Sequence, residues 1–246
     1  MTHVIAVANH KGGSGKTTST YYLGLAFAGM GKSTLLIDLD DQATLTSRLH
    51  SGLAPATTIA DVLAGEHLAK AVCEYRDEAL ESVLGYVTAD HRLAWVAAQM
   101  QAASPNHAFL CRGWQSSRLQ PQIVLIDCPP SAGVLLINAL ALASHVVIPS
   151  TPTEESYAGL LRMERMVDDI TAILNHPISI LGNLITMTSP ASLSEQYYID
   201  LLQASSLGSV PRRVGRTAHD QLMSAYADIA ETIVGKLETT RPCSGN

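Results

Sequence analysis

The chain has 246 residues, 47% of them hydrophobic and 15% charged, a balance that allows a large core and excludes wholesale disorder. With 16 Lys and Arg against 22 Asp and Glu, the formal net charge is −6, so overall charge does not draw the chain to nucleic acid and any such binding needs a local basic patch. No apolar run reaches the ~18–20 residues of a membrane span, and Cys73, Cys111, Cys128 and Cys243 form no C-x-x-C pair or zinc set, so free thiols in a reducing cytoplasm are expected.

The elements alternate β with α. HVIAVA, beginning at His3, is a short run rich in branched residues that suits a buried parallel strand. A Gly-rich turn follows, then a helix from Lys16 to Ala28 stopped by GMGK. STLLIDLD is the next strand and ends in acids; Thr58 caps IADVLAG within a stretch, 57–90, that reads as helical, with a second helix in YRDEALESVLG. RLAWVAA suggests a strand and NHAFLCRGWQSSRL a helix leading back to the sheet. QIVLIDCPPS is a further strand, apolar then acidic then punctuated by prolines, and the apolar stretch from Val134 to Val147 reads as a buried helix followed by a strand. HVVIPS and ISILGNLITMT are two more strands, with one long helix between them capped near Thr153. A last helix sets Ala218, Leu222, Ala225, Ile229, Ile233 and Leu237 on one apolar face, a docking face rather than a membrane-binding one. The expectation is a single α/β domain over 1–240, a mostly parallel twisted sheet flanked by helices on both faces, with a flexible tail at 241–246.

Sites in such sheets lie at the carboxyl ends of strands. Three strands end in candidate chemistry: Asn9 to Thr17, Asp38 to Gln42, and Asp127 to Ser131. KGGSGKTT joins a strand to a helix, where backbone N–H groups of Gly12, Gly13 and Gly15 can approach anionic oxygens and the helix dipole adds favourable charge. Lys16 is placed to reach the β- and γ-phosphates and Thr17 to ligate Mg²⁺. Asp127 matches the metal-facing acid of a nucleotide hydrolase. Alternation puts Asp38 and Asp40 on one side, where one can organise Mg²⁺ and the other orient an attacking water. The usual first glycine of a phosphate loop is absent; His10 holds its place, beside an additional lysine, Lys11.

These stretches resemble the ParA family of partition ATPases, in the P-loop group that includes MinD and the nitrogenase iron protein. KGGSGKTT matches the group's K-G-G-x-G-K-T-T, DLDDQ its D-x-D-P-Q, and DCPPS its D-x-P-P-S; IPSTPTEESYAGLLRM resembles its I-P-x-x-P and following helix. ITMT and VPRRV resemble stretches that border the adenine. The resemblance implies ATP and Mg²⁺ as cofactors, with Lys11, Gly12, Gly13, Ser14, Gly15, Lys16, Thr17, Thr18, Met187, Pro211 and Arg212 on the nucleotide. It assigns Lys11 to the phosphates of the partner subunit in an ATP-sandwiched homodimer, Asp40 to the hydrolytic water, and Thr17, Asp38 and Asp127 to Mg²⁺. Asp41 stands where the family carries proline, which implies slower or differently tuned hydrolysis.

Arg212, Arg213 and Arg216 lie in an acid-free stretch, 203–219, and the resemblance implies non-specific DNA binding there, doubled in a dimer and steeply salt-dependent, with Arg213 and Arg216 the candidate contacts. A second acid-free stretch, 91–126, holds Trp95 and Trp114, which are expected to pack in the core or an interface rather than stack on bases. With the first strand at His3, no amino-terminal helix-turn-helix is expected. The implied function is an ATP hydrolase, cytoplasmic and nucleoid-associated, that drives plasmid or chromosome partition with a ParB-like partner that stimulates hydrolysis, with no membrane partner. A related positioning ATPase for another cargo, or a binding switch with little turnover, is the alternative.

Overall fold

In a computed structural model, which describes residues 1–50, 52, 55–78, 80–103, 107–188, 193–204, 206–211 and 218–239, the apolar runs become strands of one sheet. They are β1 (His3–Val7), β2 (Thr34–Asp38), β3 (Val72–Tyr75), β4 (Leu84–Val87), β5 (Ile123–Asp127), β6 (His145–Ser150), β7 (Ser179–Thr188) and β8 (Ser206–Pro211). Their spatial order is β3-β4-β2-β5-β1-β6-β7-β8. Every pairing is parallel except that of β3 with β4. The expected tail lies outside the described residues.

Period-two alternation sends the side chains of each central strand to opposite faces. Val4, Ala6, Leu35, Ile37, Val124 and Ile126 join one core. It is covered by α3 (Ile59–Leu63), α4 (Arg92–Ala102), α5 (Phe109–Ser117), α6 (Val134–Leu142), α7 (Glu154–Leu174) and α8 (Leu193–Gln203). Ile5, Val7, Leu36 and Leu125 join the other, under α1 (Lys16–Gly29), α2 (Thr44–Leu49) and α9 (Ala218–Thr239). Leu222, Ile229, Ile233 and Leu237 are buried in it, so the last helix docks on the core as its pattern requires.

The middle of the chain departs from expectation. YRDEALESVLG is not a helix: Tyr75 closes β3 and Leu84 opens β4. Its acids and leucines fit a helical period, but Leu84, Tyr86 and Val87 are buried against β2, and that tertiary burial prevails over local propensity. The helical reading of 57–90 therefore holds for α3 and a 3₁₀ turn at Leu68–Ala71, and not for the β3–β4 pair. RLAWVAA is a helix, not a strand, because the buried residues of α4 are Leu93, Val96 and Met100, a spacing that only a helix puts on one face. Trp95 lies off that face at 66% exposure, outside the core, whereas Trp114 packs partly buried against the core.

At the amino-terminal ends of β1 and β6, opposite the acids, His145 is buried beside His3, with ring centroids 5.5 Å apart and its Nδ1 2.7 Å from Ser144 Oγ. Burial, reinforced by the neighbouring His3, pushes its pKa down to about 4. Between pH 6.5 and 4 the unfolded chain therefore binds a proton that the folded chain refuses, and stability falls as pH falls through that window. The expected result is that His145→Gln loses less thermal stability than the parent between pH 7 and pH 5; equal losses in a melting series would refute the assignment.

Candidate functional site

The chemistry sits where three neighbouring strands end. β5 lies between β1 and β2, and the register sets Asp127 beside Val7 on one side and beside Asp38 on the other. The loop leaving β1 is therefore brought over two acids that are distant in sequence.

The loop bends because Gly13 and Gly15 adopt φ of 74° and 91°, the left-handed region that a side chain disfavours. Gly15 is the N-cap of α1, so the first free N–H groups of that helix face the loop concavity. Thr186 Oγ1 donates to Ser14 C=O at 2.7 Å, and a Cβ on Gly15 would meet the Thr186 side chain at 3.2 Å. The end of β7 thus fixes the loop, and it places Met187, left-handed at φ 57° and 38% exposed, alongside. Pro211 pairs in register with Thr188, so Met187 and Pro211 come to one edge of the site. Arg212, Arg213 and Arg216 lie outside the described residues.

Lys16 is buried, and its Nζ donates to the Lys11 carbonyl at 3.1 Å. Burial lowers its pKa, opposed first by the Asp127 charge. Asp127 is fully buried, and neither of its carboxylate oxygens has a hydrogen-bond partner. Burial pushes it up to about 8, the Asp38 charge adds to this, and the nearby Thr17 hydroxyl and Lys16 ammonium pull the other way. Asp38, equally buried, is better held: Oδ2 accepts from Thr46 N (2.8 Å) and Thr46 Oγ1 (2.7 Å), and Oδ1 from Asp40 N (3.2 Å). Burial still moves it up to about 6. Asp40 is half-buried, caps its own turn by accepting from Gln42 N at 3.0 Å, and is also raised, first by burial and with a contribution from Asp41. Cys128, next to Asp127, is a buried thiol raised by burial and donating to Ile126 C=O, the inert state expected of it.

The supporting bonds of three residues are not legible in the sequence. Asn9 accepts from Lys11 N at 3.0 Å and donates to Pro149 C=O at 2.7 Å, which ties the loop entry to the end of β6. Thr46 links Asp38 to β4, its Oγ1 accepting from Ala89 N at 2.8 Å. Thr153, found only as a cap, also accepts from Lys11 Nζ at 3.0 Å. Their signal in the sequence is only position: two residues past β1 for Asn9, inside α2 for Thr46 and at the N-cap of α7 for Thr153.

The family model described as AAA domain matches residues 2–180. Chromosome partitioning protein ParA of Caulobacter vibrioides is 35% identical over 205 residues, spanning 80% of this chain and 74% of that protein. The chain belongs to the ParA family. Sporulation initiation inhibitor protein Soj of Bacillus subtilis, another ParA relative, is 33% identical over 190 residues, 76% of this chain and 73% of its own. Among solved structures, cobyrinic acid a,c-diamide synthase from Mycobacterium smegmatis, with bound ATP analog and magnesium, superposes with a TM-score of 0.84 at 27% identity, covering 98% of both chains. A plasmid partition protein from Borrelia burgdorferi gives 0.81 at 21% identity over 96% of this chain and 99% of that one, and attests the shared fold. The ParA-family loop and acids are therefore the features here that need a chemical reading.

Proposed function

We propose that this chain is a Mg²⁺-dependent ATPase that forms an ATP-sandwiched homodimer, binds DNA non-specifically and drives plasmid or chromosome partition with a ParB-like partner. The observation that carries the ATPase reading is the buried, unpartnered carboxylate of Asp127 under the phosphate loop. A buried carboxylate lacking hydrogen bonds is costly, and a site that receives a cation relieves the cost. The donors present, carboxylate and hydroxyl oxygens, are those a hard divalent cation takes. Thr17, Asp38 and Asp127 would hold Mg²⁺, with Asp38 already oriented by Thr46, and the ion would neutralise phosphate charge.

The remaining work belongs to the chain. The loop from Gly12 to Thr18 presents N–H groups to the phosphates, and Lys16 exchanges the Lys11 carbonyl for a phosphate oxygen. Asp40 orients the attacking water. Lys11 serves the partner's nucleotide, offsetting transition-state charge as a trans-acting arginine does. Met187, Pro211 and Arg212 border the adenine, and Arg213 and Arg216 contact DNA phosphates. No described helix is long and apolar enough to cross a membrane. A cytoplasmic, nucleoid-associated protein is the expected setting.

The test is phosphate release with ATP and Mg²⁺, with and without DNA and the partner. Stimulated release that falls ~10²-fold in Asp40→Ala supports the enzyme; release at background, with Asp40→Ala equal to the parent, supports instead the low-turnover switch that Asp41 suggests. DNA retention should require ATP, fall steeply with salt and weaken in Arg216→Ala. Equal retention without ATP would count against DNA binding by the dimer.

A further inference from the structure

Lys11, the lysine assigned above to the neighbouring subunit, is already engaged in the single chain. Its Nζ donates to Thr153 Oγ1 at 3.0 Å and lies 3.2 Å from a carboxylate oxygen of Glu155. Both acceptors belong to the first turn of α7, where Thr153 caps the helix by accepting from Ser156 N. A helix N-terminus repels cations. An ammonium resting there needs a compensating anion, and α7 supplies Glu154 and Glu155 in its first turn, of which Glu155 makes the ion pair. The backbone is held by the same junction: Lys11 N donates to Asn9 Oδ1, Asn9 is anchored on Pro149, and Gly159 of α7 leaves the room that Asn9 occupies, since a Cβ there would sit 2.9 Å from Oδ1.

We infer that the β6–α7 junction is a restraint on Lys11, with Glu155 as its releasable element, so that nucleotide-dependent association must first break the Lys11–Glu155 contact. The inference rests on the assignment of Lys11 to the partner's phosphates. A terminal phosphate offered by a second subunit competes with Glu155 for one ammonium, and the stronger anion takes it; a diphosphate leaves the restraint closed. Glu155 keeps 83% of its side-chain exposure and Lys11 25%, so the contact is a solvent-screened one and sets a threshold rather than a block. Exposed pairs shift equilibria by about 1.5- to 5-fold. Two contacts break per dimer, so the dimer dissociation constant should change by the square, about 2- to 30-fold.

Two readouts on the full chain test this. In nucleotide-free protein, reductive methylation of Lys11 followed by mass spectrometry should proceed faster in Glu155→Gln than in the parent, with Lys32 as internal reference. With a non-hydrolysable ATP analogue and Mg²⁺, sedimentation velocity should place the monomer–dimer midpoint of Glu155→Gln about 2- to 30-fold lower in protein concentration, and both proteins should stay monomeric with ADP. An unchanged methylation rate overturns the restraint, as does faster methylation with an unmoved or higher midpoint. A parent that stays monomeric at every concentration of the ATP analogue instead refutes the dimer reading, and methylation then still decides whether Glu155 holds Lys11.

Discussion

Lys11→Ala should bind nucleotide within a few-fold of the parent, yet lose ATP-dependent association and at least ~10² of partner-stimulated hydrolysis. The two lysines of the loop are split by geometry. Lys16 is buried inside the loop and points back at the Lys11 carbonyl, in the concavity where the helix N–H groups gather. Lys11 leaves that concavity and rests on the surface of α7. Truncating Lys11 at Cβ removes neither its carbonyl nor its N–H bond to Asn9, so the loop keeps its shape. What disappears is the ammonium that the proposed dimer uses. Titration with a fluorescent ATP analogue, light scattering of the eluted species and phosphate release measure the three quantities on one preparation. Lys16→Ala is the contrast, since it should fail at the first measurement. If Lys11→Ala lost nucleotide affinity as severely as Lys16→Ala, both lysines would serve one site and the trans assignment would fall.

The legible parts of this chain were those where one local signal and the final environment agree. HVIAVA, STLLIDLD and QIVLIDCPPS are buried on both faces, so continuous apolar runs identified them without knowledge of the neighbours. The Gly-rich loop was legible because its backbone needs glycine at Gly13 and Gly15, whatever else surrounds them, and the acids because they directly follow or close apolar strands. Tyr75 to Gly85 reads as a helix because its polar spacing suits one, while its two ends, Tyr75 and Leu84, are claimed by the sheet as cross-strand partners. Residues 92–98 were misread because seven residues cannot separate the two periods; the decisive Met100 lies beyond them. β8 also went unrecognised, an edge strand held by pairing with β7 and by α9 rather than by a run of its own.

The supports of the site were illegible for a different reason. Asn9 works through Pro149 and Thr46 through both Asp38 and Ala89, partners 140, 8 and 43 residues away. Nothing in a local window ties a threonine on α2 to an aspartate on β2, because the contact exists only once the chain turns through Ala43 in the left-handed region. These polar links are short, and most are buried or half-buried. They hold Asp38 aimed, and leave Asp127 as the acid whose two oxygens accept no hydrogen bond.

Asp127→Asn should therefore invert the protein's response to its own ligand. In chelator, with no nucleotide, burial pushes the Asp127 carboxyl of the parent up to about 8, far above the ordinary 3.8 of an exposed aspartate. The folded chain binds the proton more tightly than the unfolded one, so this group's stabilising contribution is full below pH 3.8 and is lost as pH rises to about 8. Asparagine is neutral and of equal size, so its advantage over the parent should be near zero at pH 4 and grow to a plateau above pH 8, with each kcal/mol appearing as about 2–4 °C in Tm. Adding Mg²⁺ and an ATP analogue should reverse the order. Ligand that binds only the folded state stabilises by mass action, and the parent gains that increment while the variant, lacking the anionic oxygen, gains little and loses ~10²–10³ in hydrolysis. Melting curves at pH 6 and pH 9, each with chelator and with Mg²⁺-nucleotide, decide it. A variant less stable than the parent at pH 9 in chelator would mean that the Asp127 oxygens are satisfied in solution, and a variant equally stabilised by Mg²⁺-nucleotide would remove Asp127 from the metal site.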